Sequence, residues 1–292
     1  MIQEQSVIKG IALLACPLCH TGLRQIDAAL KCANGHSFDI AREGYVNLLL
    51  QKRTGDAKEM LRARRNFLER GFYAPLADAV NESVHTHLSD LPELPYILDA
   101  GCGEGYYLDR LQQSSLAPSQ NGCYIGIDIS KEAIRMAAKH YRRSLFVVAD
   151  IKQRLVLADH AIHVILNIFA PRNPSEFARV AVAGGILIVV IPGPEHLLQL
   201  RTALGLLGIE EQKQQHVKEQ FAAHFDFVKS YNIAYAMRLN REEIEQVVIM
   251  TPNYWHLTDE IHEAMQKMEE IETEAAFTVL AFRRTQQSPI FT

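Results

Sequence analysis

No apolar run in this chain approaches the roughly 20 residues needed to span a bilayer. The first fifteen residues carry one short apolar patch, Ile11 to Ala15, without the basic front and long apolar middle of a secretory leader. These absences lead us to expect a cytoplasmic protein with no membrane partner. The chain also lacks an even, evenly spread set of cysteines. Its five fall at 16, 19, 32, 102 and 123, which argues against a disulfide framework. There is no internal repeat and no low-complexity tract, and hence no solenoid or long disordered arm. No Gly-rich loop ends in Lys-Ser or Lys-Thr, so a nucleoside-triphosphate cradle is not expected.

What is present is an ordinary globular balance over 292 residues, 48% hydrophobic and 22% charged, enough for one large domain and a small one. The net charge of −4 excludes a generally nucleic-acid-seeking surface. It is unevenly spread, however. From Lys52 to Arg70 seven basic residues (Lys52, Arg53, Lys58, Arg62, Arg64, Arg65, Arg70) face three acids (Asp56, Glu59, Glu69). That stripe suits phosphates and equally suits a solvated helix face.

Residues 12–50 are punctuated by Pro17, Gly22, Asn34-Gly35 and Gly44, the texture of a small loop-rich unit that would need a metal to fold. Helices are predicted over 56–71 and from Tyr73 to Leu88, with a break at Leu91 to Pro95. Short apolar strands then alternate with helices: Tyr96–Ala100, Tyr124–Ile129, Leu145–Ala149, Ile162–Phe169 and Ile186–Ile191. Between them lie a helix from about Tyr107 and one behind Ser130, an N-cap residue, with Ile134, Ala137, Ala138 and Tyr141 on one face. Such alternation predicts an α/β fold, a Rossmann-like parallel sheet with helices on both faces. The last third is less regular, with a strand within 221–237, a helix over 240–250 and a final strand over 276–283. The expected organisation is a zinc-binding module over 1–51, a basic helical linker over 52–72 and a catalytic domain over 73–292.

Two constellations carry chemistry. Cys16-Pro17-Leu18-Cys19 is a C-x2-C knuckle, and Cys32 with His36 forms a C-x3-H pair after twelve intervening residues. Three thiolates and an imidazole in two close pairs suit tetrahedral zinc, and with all four positions protein-filled the metal would be structural. His20 is a rival ligand that adjoins Cys19 and would strain the site. Cys102 and Cys123 have no paired partners and read as core thiols. The second constellation begins with Asp99, Gly101, Gly103, Glu104 and Gly105, a G-x-G-x-G turn after a strand and before a helix. Asp128 ends the second strand and Asp150 the third, 27 residues after Gly101 and 22 further on. At one strand edge the glycine turn would let backbone approach an adenosyl ligand, with Asp128 at its ribose hydroxyls and Asp150 at its adenine amino group. The spacing differs from the G-x-G-x-x-G of nicotinamide enzymes. We therefore expect S-adenosylmethionine, a phosphate-free cofactor whose amino-acid end would meet Asp99 and Glu104.

With both constellations in one chain, the sequence resembles the 23S ribosomal RNA guanine-N1 methyltransferases over nearly its whole length. Besides the zinc ligands and the glycine turn running on to Tyr106-Tyr107, the resemblance rests on Glu43-Gly44-Tyr45-Val46-Asn47-Leu48, Ala63 through Leu68, Phe169-Ala170-Pro171, Pro192-Gly193-Pro194 with His196, and Met250-Thr251-Pro252. It implies the class I methyltransferase fold, a structural zinc on Cys16, Cys19, Cys32 and His36, and cofactor contacts from Tyr73, Gly103, Glu104 and His196. It implies 23S ribosomal RNA as partner, with an unpaired loop guanine as target; a homodimer is left open. Asn167-Ile168-Phe169-Ala170-Pro171 stands where amino-group methyltransferases show Asn-Pro-Pro-aromatic, which fits a ring-nitrogen target. Glu104, Asp159 and His196 are the candidate bases, with no choice among them. Tyr254 and Trp255 either stack a base or form a buried pair. Two other readings compete: a small-molecule methyltransferase with a zinc lid, and a non-catalytic RNA-binding protein.

Overall fold

The computed structural model describes residues 2–51, 53, 55–88, 95–114 and 122–285; Lys52 of the basic stripe and positions 91–94 of the expected break lie outside the described residues. The chain opens with α1 (Ile2–Ile11), then β1 (Leu23–Ile26), β2 (Ala29–Cys32) and β3 (Ser37–Asp39), a small antiparallel sheet in that order. β4 (Val46–Asn47), α2 (Lys58–Glu69) and α3 (Ala74–Leu88) lead to β5 (Tyr96–Ala100), α4 (Tyr106–Gln113), β6 (Cys123–Asp128), α5 (Lys131–His140) and β7 (Leu145–Val148). After these come β8 (Ile162–Ile168), α6 (Pro174–Val180), β9 (Ala181–Pro192), α7 (Leu198–Leu204) and α8 (Lys213–Phe221). β10 (Phe225–Asn240), α9 (Arg241–Ile249), a 3-10 turn over Pro252–His256, α10 (Asp259–Lys267) and β11 (Glu270–Arg284) complete it.

The large sheet has eight strands in the order β10-β11-β9-β8-β5-β6-β7-β4. From β4 to β9 all neighbours are parallel, while β11 is antiparallel to both β9 and β10. The strand order reverses at β5, so the carboxyl ends of β5, β6 and β8 border the crevice where ligands of open α/β sheets bind. This is the class I methyltransferase arrangement, and the sheet is mixed, not wholly parallel. β5 and β7 are apolar and buried almost throughout because helices cover both faces. Period-two alternation sends Ile97, Val164 and Ile186 into one layer and Leu98, Ile165 and Leu187 into the other. Cys102 and Cys123 are buried in these two layers, as expected of core thiols, and burial pushes the Cys123 thiol up to about 12.

Three departures from the sequence reading stand out. α1 was not anticipated; it lies on β6 and β7, where a Cβ on Gly10 would sit 3.0 Å from Cys123 Sγ. The penultimate strand starts at Phe225, because Phe221 closes α8, and it runs to Asn240. The final strand begins at Glu270, so β10 and β11 form a long ribbon with a bulge between Phe227 and Lys229. Among the described residues no helix is long and apolar enough to cross a membrane.

β10 passes into α9 through a reciprocal cap. Asn240 Oδ1 accepts from Glu243 N at 3.1 Å, and Glu243 Oε2 accepts from Asn240 N at 2.9 Å. Replacing Asn240 with Ala leaves the Glu243 N–H without its side-chain partner and is expected to cost about 1 kcal/mol. Urea unfolding would show this as a lower midpoint with an unchanged slope; an unmoved midpoint would remove the cap from the account.

Candidate functional site

Cys16 and Cys19 sit on a turn closed by His20 N donating to Cys16 O at 2.8 Å. Cys32 ends β2, and Gly35, at φ +83°, lets the chain return His36 toward it. The four donor atoms all lie within 4.8 Å of one another. Cys16 Sγ and Cys32 Sγ are 3.5 and 3.4 Å from His36 Nδ1, and Cys19 Sγ is 3.6 Å from Cys32 Sγ. A tetrahedron with ordinary zinc bond lengths has edges of about 3.5 Å for S–N and about 3.8 Å for S–S, so the set fits a zinc ion. Hydrogen bonds from the Thr21 side chain and backbone pull the Cys19 thiol down to about 5, favouring the thiolate that zinc needs. His20 takes a left-handed backbone and stays outside the cluster.

This small unit is joined to the large sheet. Val46 and Asn47 pair with Val147 and Val148, Leu48 N donates to Val148 O at 2.9 Å, and Ala15 N donates to Val156 O at 2.9 Å. The zinc ligands therefore stand beside the strand end that carries Asp150. A hollow of about 300 Å³ between them is lined by Cys16, His20, Leu50, Arg53 and Asp150.

The glycine turn follows β5. Gly101 has φ +89°, and a Cβ there would lie 2.3 Å from Ala170 Cβ, so only glycine fits. Gly103, at φ +54°, donates its N–H to Asp128 Oδ2 at 3.0 Å. The other oxygen of Asp128 accepts from Ser130 N at 2.7 Å, and Ser130 Oγ caps α5 by accepting from Ala133 N at 3.2 Å. Asp150 Oδ1 accepts from Lys152 N at 2.9 Å, with Arg53 Nε 3.4 Å from its second oxygen, too poorly aligned to count as a hydrogen bond. The structure thus brings Gly101, Gly103, Asp128 and Asp150 to one edge on adjacent strands.

Asp99 and Glu104 are buried at the same place. Neither oxygen of Asp99 has a hydrogen-bond partner; burial first, then the negative Asp128 and Glu104, push its carboxyl up to about 8. Burial also raises Glu104, against the pull of Arg64. Arg64 was read only as part of the basic stripe, yet it reaches in over the glycine turn. Its Nη1 would be 3.5 Å from a Cβ on Gly103, and its Nη2 donates to Asp56 at 2.6 Å and to Met250 O at 3.1 Å. Tyr73 and His196 are brought together: Tyr73 Oη is 3.2 Å from His196 Nε2, while His196 Nδ1 accepts from Ala276 N at 3.2 Å. Burial, with Arg201 adding to it, pushes His196 down to about 3, so it is neutral and both ring nitrogens are engaged. A base role for His196 is corrected by this: it has no free nitrogen to take a proton. Asp159 is corrected as well. It precedes β8, at the edge opposite the glycine turn, and is paired with Arg179 at 2.5 Å.

Two aromatics entered the sequence reading only as element ends and parts of the resemblance, with no role of their own. Tyr107, in the first turn of α4, has a buried hydroxyl with no hydrogen-bond partner. Phe169 directly follows β8 at φ +53°, a strained backbone for a bulky residue, and is 45% exposed. Its ring lies 6.4 Å from that of Tyr107 and 5.6 Å from that of Phe277. Asn167 spends its amide donor on Ala100 O (3.0 Å) and Pro171 O (2.9 Å), leaving no N–H to orient a substrate. Tyr254 and Trp255 do not form a buried pair: their rings are 4.9 Å apart and Trp255 is 61% exposed.

Comparison with known proteins agrees with this geometry. The family model for the RlmA N-terminal zinc ribbon matches residues 14–53, and a methyltransferase-domain model matches residues 97–186. The chain is 38% identical over 249 residues to the Streptomyces fradiae 23S rRNA (guanine(748)-N(1))-methyltransferase, covering 84% of this chain and 87% of that one. The chain belongs to the 23S rRNA (guanine-N1)-methyltransferase family. A Micromonospora griseorubida protein provisionally named a 23S rRNA (guanine-N(1)-)-methyltransferase is likewise 38% identical, over 83% of this chain and 87% of its own length. The crystal structure of MccD protein overlays with a TM-score of 0.48 at 14% identity, covering 72% of this chain and 98% of that one. The fold assignment rests on the strand order and not on that overlay. As a member of this family the chain is an S-adenosylmethionine-dependent enzyme with a structural zinc.

Stripping the metal with a strong chelator should remove on the order of 10 kcal/mol from the ribbon. Elemental analysis is expected to give one zinc per chain before treatment, and thermal unfolding a lower temperature after it; equal unfolding temperatures would make the metal dispensable. Asp99 supplies a pH test. Its folded pKa is raised from 3.8 to about 8, so the folded state holds a proton that the unfolded state has lost. Stability should therefore fall as pH climbs through that interval and level off above it. Asp99→Asn should flatten this slope and be relatively more stable at pH 8 than at pH 4. Parallel denaturation curves for the two proteins at every pH would contradict the assignment.

Proposed function

We propose that this protein transfers the methyl group of S-adenosylmethionine to N1 of a guanine in 23S ribosomal RNA, the base being presented in an unpaired hairpin loop. Its work would then be cytoplasmic. The observation that carries the reading is the Gly103 N–H to Asp128 contact at 3.0 Å, which sets a close-approach glycine turn beside a strand-end carboxylate. The identity to the Streptomyces fradiae guanine-N1 enzyme over most of both chains supports the substrate.

In this reading Gly101 and Gly103 let backbone approach the donor. Asp128 keeps unused lone pairs for ribose hydroxyls, and the second oxygen of Asp150 faces the adenine amino group. Asp99 and Glu104 meet the cationic amino-acid end, and Tyr73 with His196 forms a buried wall. When bound, S-adenosylmethionine supplies an electrophilic methyl on a sulfonium. The chain's task is to hold guanine N1 in line with it and exclude water, so positioning supplies most of the rate. The guanine must leave its stack to enter the crevice, and an unpaired loop base does so at least cost. Phe169 offers it an exposed ring at the carboxyl end of β8. Of the three candidate bases, Glu104 alone stays both at this edge and free of a strong pairing that would block it. We further propose the division of labour 1–51 for RNA and zinc, 52–72 as basic linker, and 73–292 for catalysis.

Mass mapping of 23S ribosomal RNA after incubation with enzyme and donor should show one added methyl on a loop guanine; methylation of small metabolites with ribosomal RNA untouched would overturn the reading. Asp128→Ala should weaken donor binding by roughly tenfold to a hundredfold in calorimetry, as expected for lost hydrogen bonds of about 1–3 kcal/mol. Phe169→Ala should instead spare donor binding and weaken RNA turnover by about 1–3 kcal/mol, the size of one lost base stack.

A further inference from the structure

α2 and α5 pack side by side and enclose a cleft of about 240 Å³, whose lining includes Lys58, Arg62 and Arg65 from one helix and Glu132, Arg135 and Lys139 from the other. The sequence reading grouped only the α2 cations. The fold adds those of α5, and neither helix holds the cleft alone. The local ion pairs leave charge over. Arg65 is occupied by Glu69 at 2.7 Å, and Arg135 by both oxygens of Glu132 at 3.1 and 2.8 Å. Lys58, Arg62 and Lys139 have no ion pair or hydrogen bond among the described residues. Three like charges around one concavity repel one another, and an anion placed between them removes that cost.

We propose that this cleft holds the phosphodiester backbone of the substrate RNA as the strand approaches the catalytic crevice. The inference rests on the functional reading above and deepens it. Lys58, Arg62 and Arg65 recur at i, i+4 and i+7, one helix face about 10 Å long, room for two successive phosphates. Apart from Glu132, whose carboxylate is taken by Arg135, the lining offers mainly positive charge, so it suits a backbone and not a base edge. One end of the cleft meets the donor site. Ser130, two residues from Asp128, caps α5, and the chain leading into α2 presses on it: a Cβ on Gly55 would be 2.7 Å from Ser130 Cβ. A strand lying in the cleft is therefore led to the carboxyl edge where Gly103 and Asp128 meet.

The test replaces Lys58, Arg62 and Lys139 with Gln together; all three are exposed, so folding is not at stake. Binding of a 23S ribosomal RNA fragment is followed by filter retention across a salt series. The expected result is at least a tenfold loss at low salt, with the slope of log affinity against log salt reduced by about two to three. Donor affinity by calorimetry should not change. A control carrying Lys229→Gln and Lys267→Gln, cations elsewhere on the surface, should lose at most about twofold. Unchanged RNA affinity and salt slope in the triple variant would overturn the cleft assignment, as would an equal loss in the control, or wild-type protein whose cleft binds an acidic protein and not RNA. Wild-type protein that binds the RNA with the expected salt dependence yet leaves guanine N1 unmethylated would instead sink the functional reading and leave the cleft standing.

Discussion

Asp128 receives one backbone N–H from Gly103 and another from Ser130, and through these two bonds it ties three elements together. The first fixes the turn after β5. The second fixes the start of α5, where the Ser130 side chain then caps the helix. Removing the carboxylate would free the glycine turn and the helix start at once. The bonds also limit what burial does to Asp128: burial raises its pKa, and both N–H donors pull against that rise. Its neighbour Asp99 has no such donors and keeps its proton to about pH 8. Two buried aspartates at one sheet edge thus differ in surroundings: Asp128 is held by two backbone donors, and Asp99 by none.

The resulting electrostatics favour one kind of ligand. Asp99, Glu104 and Asp128 are crowded together, and Arg64 is the cation that reaches them, already shared with Asp56. A phosphate brought to this turn would meet the carboxyls of Asp128 and Glu104. A ligand bearing a sulfonium and an ammonium would balance them. The surplus of acid therefore argues against a dinucleotide more strongly than the glycine spacing does. The zinc ribbon belongs to the same arrangement. β4 extends the sheet beyond β7, and backbone bonds from Ala15 and Leu48 reach the segment on either side of Asp150. The metal thus braces the edge of the large sheet as well as its own module.

Much of this was legible because its signals are local. The two cysteine pairs with their turns, the glycine turn after an apolar strand, and the acids at the ends of β6 and β7 each lie within a few residues of sequence. Parallel strands are readable for the same reason, since burial on both faces makes them continuous apolar runs. What depended on distant partners was not. α1 has weak amphipathicity and owes its place to Cys123 and Leu145. Arg64 sits in a run of cations, and nothing in that run marks which one turns inward; its partner Met250 lies 186 residues away. Asp159 resembled any other acid near a strand until Arg179 was seen to hold it at the wrong edge. The strain at Phe169 is a backbone angle, for which phenylalanine gives no hint.

α2 is where the separate parts of the molecule meet, and its geometry explains how. Met60, Leu61, Ala63, Phe67 and Leu68 are buried and anchor it against the sheet domain. Arg64, next to that buried stripe, turns toward the glycine loop, while Lys58, Arg62 and Arg65 turn toward α5. Successive residues of a helix are about 100° apart, so Arg64 and Arg65 point to different sites though adjacent in sequence. A single rigid segment therefore contacts the glycine turn on one side and the cationic cleft on the other. Any displacement that opened the cleft would also shift Arg64 relative to Glu104 and Asp56. The packed apolar stripe makes such a shift costly, which holds the two sites at a fixed separation and lets each be bound without rebuilding the other.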